Sequence, residues 1–168
     1  MSGVRVEVNM GFVDLHVNGI SGTDFTRPDL TGDDVSRVAA YLYRCGVAGF
    51  CPTVITTSLS TYRRCLPVLA GHKHSPGEAK ILGVHIEGPF MSPQDGPRGI
   101  HPVDLMRQPS IDFFEQLRTW ADDKILMLTL APELPGSVEL IRHVRTQTTA
   151  RISIGHTMAP SDAIRAAV

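Results

Sequence analysis

The chain has 168 residues, 16 Lys and Arg against 17 Asp and Glu, a formal net charge of −1, and 42% hydrophobic residues. This balance suits one globular core and argues against disorder, and the scattered basic residues form no stripe of the kind nucleic acid would need. No apolar run approaches the ~20 residues of a membrane span and no charged segment precedes an apolar signal core, so no membrane partner is expected and the expected location is cytoplasmic.

Short apolar runs alternate with amphipathic stretches, the pattern of a parallel sheet with helical crossovers. A first strand is predicted over 11–17, ending in His16 and followed by Asn18. Asp33 then opens a helix whose Val35, Val38, Ala39 and Leu42 share one face, and Gly46 closes it. A second strand over 48–55 leads to a helix around 60–70 that contains Pro67, and a third over 81–87 stops at Gly88-Pro89. Ser110 is read as the cap of a helix burying Phe113, Phe114, Leu117 and Trp120. A fourth strand over 125–131 precedes a helix capped by Ser137 with Val138, Ile141 and Val144 inward, and a fifth over 151–156 precedes a helix from Ser161 and Asp162 to Val168. Cys45, Cys51 and Cys65 form no CxxC pair and are odd in number, so they are read as small buried hydrophobes.

Five strands could make a doubly wound sheet, but no GxGxxG follows a strand, whereas a closed barrel of eight strand–helix units takes about 250 residues. The reading is therefore α/β: a partial TIM (β/α)8 barrel over residues 10–168, with about five strand–helix units, a little over half of the closed structure.

Three of the apolar runs deliver a potential metal ligand at the same end: His16, Glu87 and His156. A buried strand rarely ends in a glutamate unless the charge is paired or used. Catalytic sites of parallel barrels lie at the carboxyl ends of the strands, and a zinc-type site combines about three His, Asp, Glu or Cys ligands with one open position. Glu87 and His156 would supply two. His85 shares the strand parity of Glu87 and is read as a packed, hydrogen-bonded neighbour rather than a ligand. His72 and His74, in a Lys/Gly/Pro-containing loop, are expected in solvent, as is His143 on a helix; Glu133 is read as fixing its loop rather than acting as an acid.

The segments Gly11-Phe-Val-Asp-Leu-His-Val-Asn-Gly19, Leu82-Gly-Val-His-Ile-Glu-Gly-Pro-Phe90, Gly99-Ile-His-Pro102, Thr129-Leu-Ala-Pro-Glu133 and Ser153-Ile-Gly-His-Thr157 resemble, in order, the landmarks of the N-acetylglucosamine-6-phosphate deacetylases of the amidohydrolase superfamily. The HxEGP element followed by GxHP is specific, whereas GFxDxH is shared widely among amidohydrolases. The resemblance implies a metal-dependent (β/α)8 barrel that hydrolyses N-acetylglucosamine-6-phosphate to glucosamine-6-phosphate and acetate. Glu87 then resembles the metal-binding glutamate of the third strand and His156 the metal-binding histidine of the fifth, with a divalent ion, zinc first, as cofactor. His16 and Asn18 occupy a first-strand pair that is HxH in two-metal members; Asn18 is a poor ligand, which points to the single-metal type and leaves a role for His16 open.

Gly99-Ile100-His101 resembles the loop that meets substrate, through the backbone at Ile100 and the imidazole of His101, although a plain loop histidine fits the latter as well. The family's general-base aspartate, on the eighth strand, and a further metal histidine, on the sixth, are expected beyond Val168, so no catalytic base is assigned within the chain. Val4–Val8, within residues 1–9, resembles a remnant of the family's small β domain, and homodimers are common. The resemblance thus gives an amino-terminal part of such an enzyme, with negligible activity by itself. Two other readings stand beside it: another amidohydrolase, such as a cyclic-amide hydrolase, and a non-catalytic half-barrel module that pairs with a second chain or copy.

Overall fold

Apolar periodicity builds one parallel sheet and the helices that cover it. The structure is a computed structural model and describes residues 11–167, so the Val4–Val8 stretch lies outside the described residues. In chain order the elements are β1 (Phe12–Val17), β2 (Gly19–Ile20), β3 (Thr23–Asp24), α1 (Gly32–Arg44), β4 (Val47–Ile55), α2 (Leu59–Ala70), β5 (Lys80–Ile81), β6 (Val84–Glu87), a 3-10 turn (Val103–Leu105), α3 (Ile111–Trp120), β7 (Ile125–Leu130), α4 (Ser137–Gln147), β8 (Arg151–Ile154) and α5 (Ser161–Ala167). The main sheet runs β1-β4-β6-β7-β8, with every pairing parallel and β5 added beside β4; β2 and β3 form a separate antiparallel pair. Spatial order follows chain order without the reversal that marks a doubly wound sheet.

The helix starts follow capping chemistry. Thr31, two residues before the expected start, caps α1: its side chain accepts from the Asp34 N–H while the Asp34 carboxylate accepts from the Thr31 N–H at 2.9 Å. Ser58 and Ser110 cap α2 and α3 by the first of these bonds, their side chains accepting from the Thr61 and Phe113 N–H. At α4 the cap is Gly136, with φ +89, and Ser137 is instead the first helical residue, fully buried, donating to the Ala131 carbonyl at 2.7 Å. Leu140, Ile141 and Val144 form its inward face, and Val138 is only half-buried.

The strand expected over 81–87 is two pieces. Gly83, at φ +154, interrupts it where an added Cβ would stand 2.7 Å from Leu126 Cβ. β5 pairs with β4 before the break, and β6 pairs with both β4 and β7 after it. Among the cysteines, Cys51 and Cys65 are buried, and burial pushes their thiols up to about 11 and about 12. Cys45 departs from the reading: it is the exposed C-cap of α1, following Tyr43 and Arg44 on the helix's exposed side.

Alternate residues of each strand face the helices. Phe50 and Val54 of β4, Val84 and Ile86 of β6, and Leu128 and Leu130 of β7 share one buried cluster with Val35 and Val38 of α1, Tyr62 and Leu66 of α2, Phe114 and Leu117 of α3, and Leu140 of α4. Each such side chain contributes roughly 1.5–3 kcal/mol on burial, which makes this face the main source of stability. The opposite face is polar. Register aligns Thr53 with His85, and Glu87 with Thr129 and through it Ser153.

Candidate active site

The polar face carries the expected residues to the carboxyl ends of the strands. His16 lies on β1, Asn18 just after it, Glu87 ends β6, and His156 stands two residues beyond β8. The loop after β6 brings Ile100 and His101 to the same place. All six line one cavity of about 390 Å³, together with Gly19, Thr23, Asp24 and Ile55. Asn18 and Ile100 are exposed, whereas Glu87 and His101 are buried.

Glu87 is the hub. Its Oε1 is 2.9 Å from His156 Nε2 and its Oε2 is 3.1 Å from His16 Nε2. Burial works against its charge, but the hydrogen bond from His156 and the nearby imidazoles of His16, His101 and His156 hold the carboxyl below its ordinary range. His156 Nδ1 lies 2.8 Å from the Pro97 carbonyl, which can only accept, so Nδ1 carries a proton. In the neutral ring Nε2 is then a bare lone pair facing a carboxylate oxygen. Two acceptors at that distance need a cation between them or a proton on the ring.

One ligand atom from each of Glu87, His101 and His156 lies within 4.8 Å of the other two, a donor set of the kind a transition-metal ion takes. His101 is 1% exposed, its ring meets that of His156 edge-on at 4.4 Å, and its Nδ1 is 2.8 Å from Thr56 Oγ1. Burial first, then the His156 and His16 rings, lower its pKa, with Glu87 opposing. His16 is the open side of the cluster: its side chain is 47% exposed, against 8% for Glu87.

His85 lies beneath this layer. It is buried, with Nδ1 3.0 Å from Thr53 Oγ1 and Nε2 2.7 Å from Thr129 Oγ1, and its ring stands edge-on to His16 at 4.9 Å. Burial, reinforced by His16, pushes its pKa down to about 4, so it is neutral at neutral pH. Thr53, Thr56 and Thr129 escaped sequence reasoning, since strand threonines are common and carry no motif. For Thr53 and Thr129 the strand parity shared with His85 was the available signal; Thr56, just past β4, left none.

Backbone geometry serves the same cluster. Gly88 has φ +93, and an added Cβ would lie 2.3 Å from Thr56 Oγ1, the atom that holds His101. Glu133 accepts from the Met158 N–H at 2.9 Å and from the Thr157 hydroxyl, tying the loop after β7 to the one after β8. Of the other histidines, His74 is exposed and His143 is half-buried, 2.7 Å from Glu115. His72 corrects the expectation of a solvated side chain: its side chain is 6% exposed and paired with Glu78 at 3.0 Å, because the loop closes on that carboxylate, which also accepts from the Ser75 N–H at 3.1 Å.

The sequence and the fold that carry this cluster are similar to those of known proteins. The chain is 38% identical over 161 residues to N-acetylglucosamine-6-phosphate deacetylase of Rattus norvegicus, covering 94% of this chain and 39% of the relative. Its structure matches crystal structures of N-acetyl-D-glucosamine-6-phosphate deacetylase from Mycobacterium smegmatis, with TM-score 0.81, 30% identity, and coverage of 94% of this chain and 39% of that one. Over that stretch the chain is similar to these deacetylases. It spans about two fifths of the length of the curated relatives it matches. A further deacetylase relative, at 34% identity over 158 residues (93% of this chain, 40% of the relative), is N-acetylgalactosamine-6-phosphate deacetylase of Escherichia coli O157:H7. No protein-family model matches the chain. Among the described residues, no helix is long and apolar enough to cross a membrane.

Proposed function

We propose that this chain is part of a longer enzyme, a metal-dependent deacetylase of N-acetylglucosamine-6-phosphate, and that its sheet is the first part of that enzyme's (β/α)8 barrel. The observation that carries the reading is the 2.9 Å approach of His156 Nε2 to Glu87 Oε1 on the carboxyl edge of a parallel sheet, with Nδ1 of the same ring spent on the Pro97 carbonyl. Glu87 and His156 would hold a divalent ion, zinc first, with His16 beside Glu87 as the residue for a second. A bound ion supplies Lewis-acid polarisation of the acetamide carbonyl and a hydrolytic water acidic enough to act near neutral pH.

The chain's own residues do the remaining work. His85 and Asn18 buttress the ligands, and Pro97 keeps the ligand nitrogen of His156 free of its proton. Ile100, through its backbone, and His101 contact the substrate, with His101 Nδ1 engaged by Thr56 so that its other nitrogen can face the cavity. The base that takes the water's proton and returns it to the leaving amine comes from the parent enzyme outside this segment. We assign the enzyme to the cytoplasm as a homodimer, and the 168 residues alone negligible turnover. The Mycobacterium smegmatis deacetylase has been solved with N-acetyl-D-glucosamine-6-phosphate, which supports that substrate. The galactosamine-specific name of the Escherichia coli relative supports a second reading, the 4-epimer.

The test is metal content and acetate release in the complete enzyme. Glu87→Gln and His156→Ala should each lose metal and at least 100-fold in activity together. Stoichiometric metal in both variants would refute the assignment, and a preference for the galacto substrate would select the second reading.

A further inference from the structure

We infer that Glu133 is a positioning residue for His156, acting through the backbone just beyond it; this rests on the metal-site reading above. His156 has φ +52, a left-handed conformation that a residue with a Cβ adopts only when its surroundings impose it. The constraint comes from three sides. Upstream, the Gly155 N–H donates to the Leu130 carbonyl at 3.2 Å, and an added Cβ at Gly155 would lie 2.9 Å from Thr129 Cγ2, which seats the chain against β7. Across the cavity edge, the His156 carbonyl accepts from the Ser92 N–H at 3.0 Å.

Downstream, Glu133 takes hold of the next two residues with both carboxylate oxygens: one accepts from the Thr157 hydroxyl, the other from the Met158 N–H at 2.9 Å. The Thr157 hydroxyl in turn accepts from the Ala159 N–H at 2.8 Å. Its single proton is therefore committed to Glu133, and the turn after His156 is closed by one side chain from the neighbouring strand's loop. Removing that carboxylate frees the Thr157 hydroxyl and the Met158 N–H. The backbone at His156 can then relax toward negative φ, which swings the ring away from Glu87 and from the Pro97 carbonyl. Glu133 thus sets the direction of the His156 lone pair without touching the cavity's ligand atoms.

The experiment compares Co²⁺ binding by the purified 168-residue protein and its Glu133→Ala, Glu133→Gln, Thr157→Val and His156→Ala variants, using visible absorption and calorimetry, alongside ¹⁵N shifts of the His156 ring. Glu133→Ala should weaken Co²⁺ binding at least tenfold and shift the His156 ring nitrogens. Glu133→Gln should recover most of the affinity, because its amide oxygen still accepts from Met158 and its NH₂ can donate to Thr157. Thr157→Val should fall between the two.

Wild-type affinity and ring shifts in Glu133→Ala would overturn the inference. If that variant fails to fold, unchanged affinity in Thr157→Val overturns it instead, and a loss there supports it. If His156→Ala itself binds Co²⁺ like the parent, the metal reading fails; the ring shifts in Glu133→Ala then decide the clamp alone, a change upholding it and none overturning it.

Discussion

The two faces of the main sheet are built on opposite rules. On the helix side, Leu128 and its neighbours Val54, Ile86 and Leu140 are sealed into a continuous apolar layer, where any side chain of suitable size contributes through area alone. One residue along the same strand, Thr129 points the other way, and its hydroxyl meets His85 at 2.7 Å in a layer where each polar atom has a particular partner. The first face is tolerant and supplies stability. The second is expensive, since a polar group buried without its partner costs roughly 1–3 kcal/mol, and it is retained where it orients a site.

Neighbouring substitutions on β7 put this contrast to the test. Leu128→Ala should cost about 3 kcal/mol in urea unfolding, through lost burial and the cavity left behind, yet keep the Co²⁺ affinity of the parent. A tenfold drop in affinity would mean that the faces are mechanically coupled.

The polar face should also reveal itself by pH. His85 is held down to about 4, below the ordinary imidazole value of about 6.5, so the unfolded chain takes up a proton that the folded one refuses. Its contribution is complete above pH 6.5 and is lost as the pH falls toward 4. In metal-free protein this should amount to a loss on the order of 2 kcal/mol, and His85→Asn should flatten that slope; an equal slope in the variant would assign the acid sensitivity elsewhere. The smallest effect is expected for Thr129→Val, about 1 kcal/mol, since shape is preserved and one hydrogen bond is lost. Here the informative measurement is the His85 ring shift in NMR, which should move at Nε2.

Much of the helix-side face was legible beforehand. Val35, Val38, Ala39 and Leu42 of α1 and Phe113, Phe114 and Leu117 of α3 recur at helical spacing, and their burial follows from that spacing. The reading failed where backbone conformation intervened. Gly83 splits a run that looks continuous, Gly136 takes the cap from Ser137, and the fold of the loop after α2 buries His72. On the polar face, Glu87 stood out because a charge at the end of an apolar run is costly, and His156 because it repeats that placement. The threonines that hold the imidazoles did not. Thr53 and His85 are 32 residues apart and are brought together by strand register, whereas Thr56 and His101, 45 apart, meet where two loops leave the sheet.

By itself, the sequence determined which segments alternate as strand and helix, which side of each is apolar, and that carboxylate and imidazole groups accumulate at the strands' carboxyl ends. These properties are local: they depend on side-chain period and on the cost of burying charge. Only the tertiary structure decided that the Pro97 carbonyl accepts from one nitrogen of His156 while the other faces Glu87, that Thr56 engages His101, and that Glu133 closes the turn beyond His156. Those choices belong to loops from different strands meeting at one edge. Distance and direction there are set by parallel register and left-handed backbone, neither of which leaves a periodic trace in the chain.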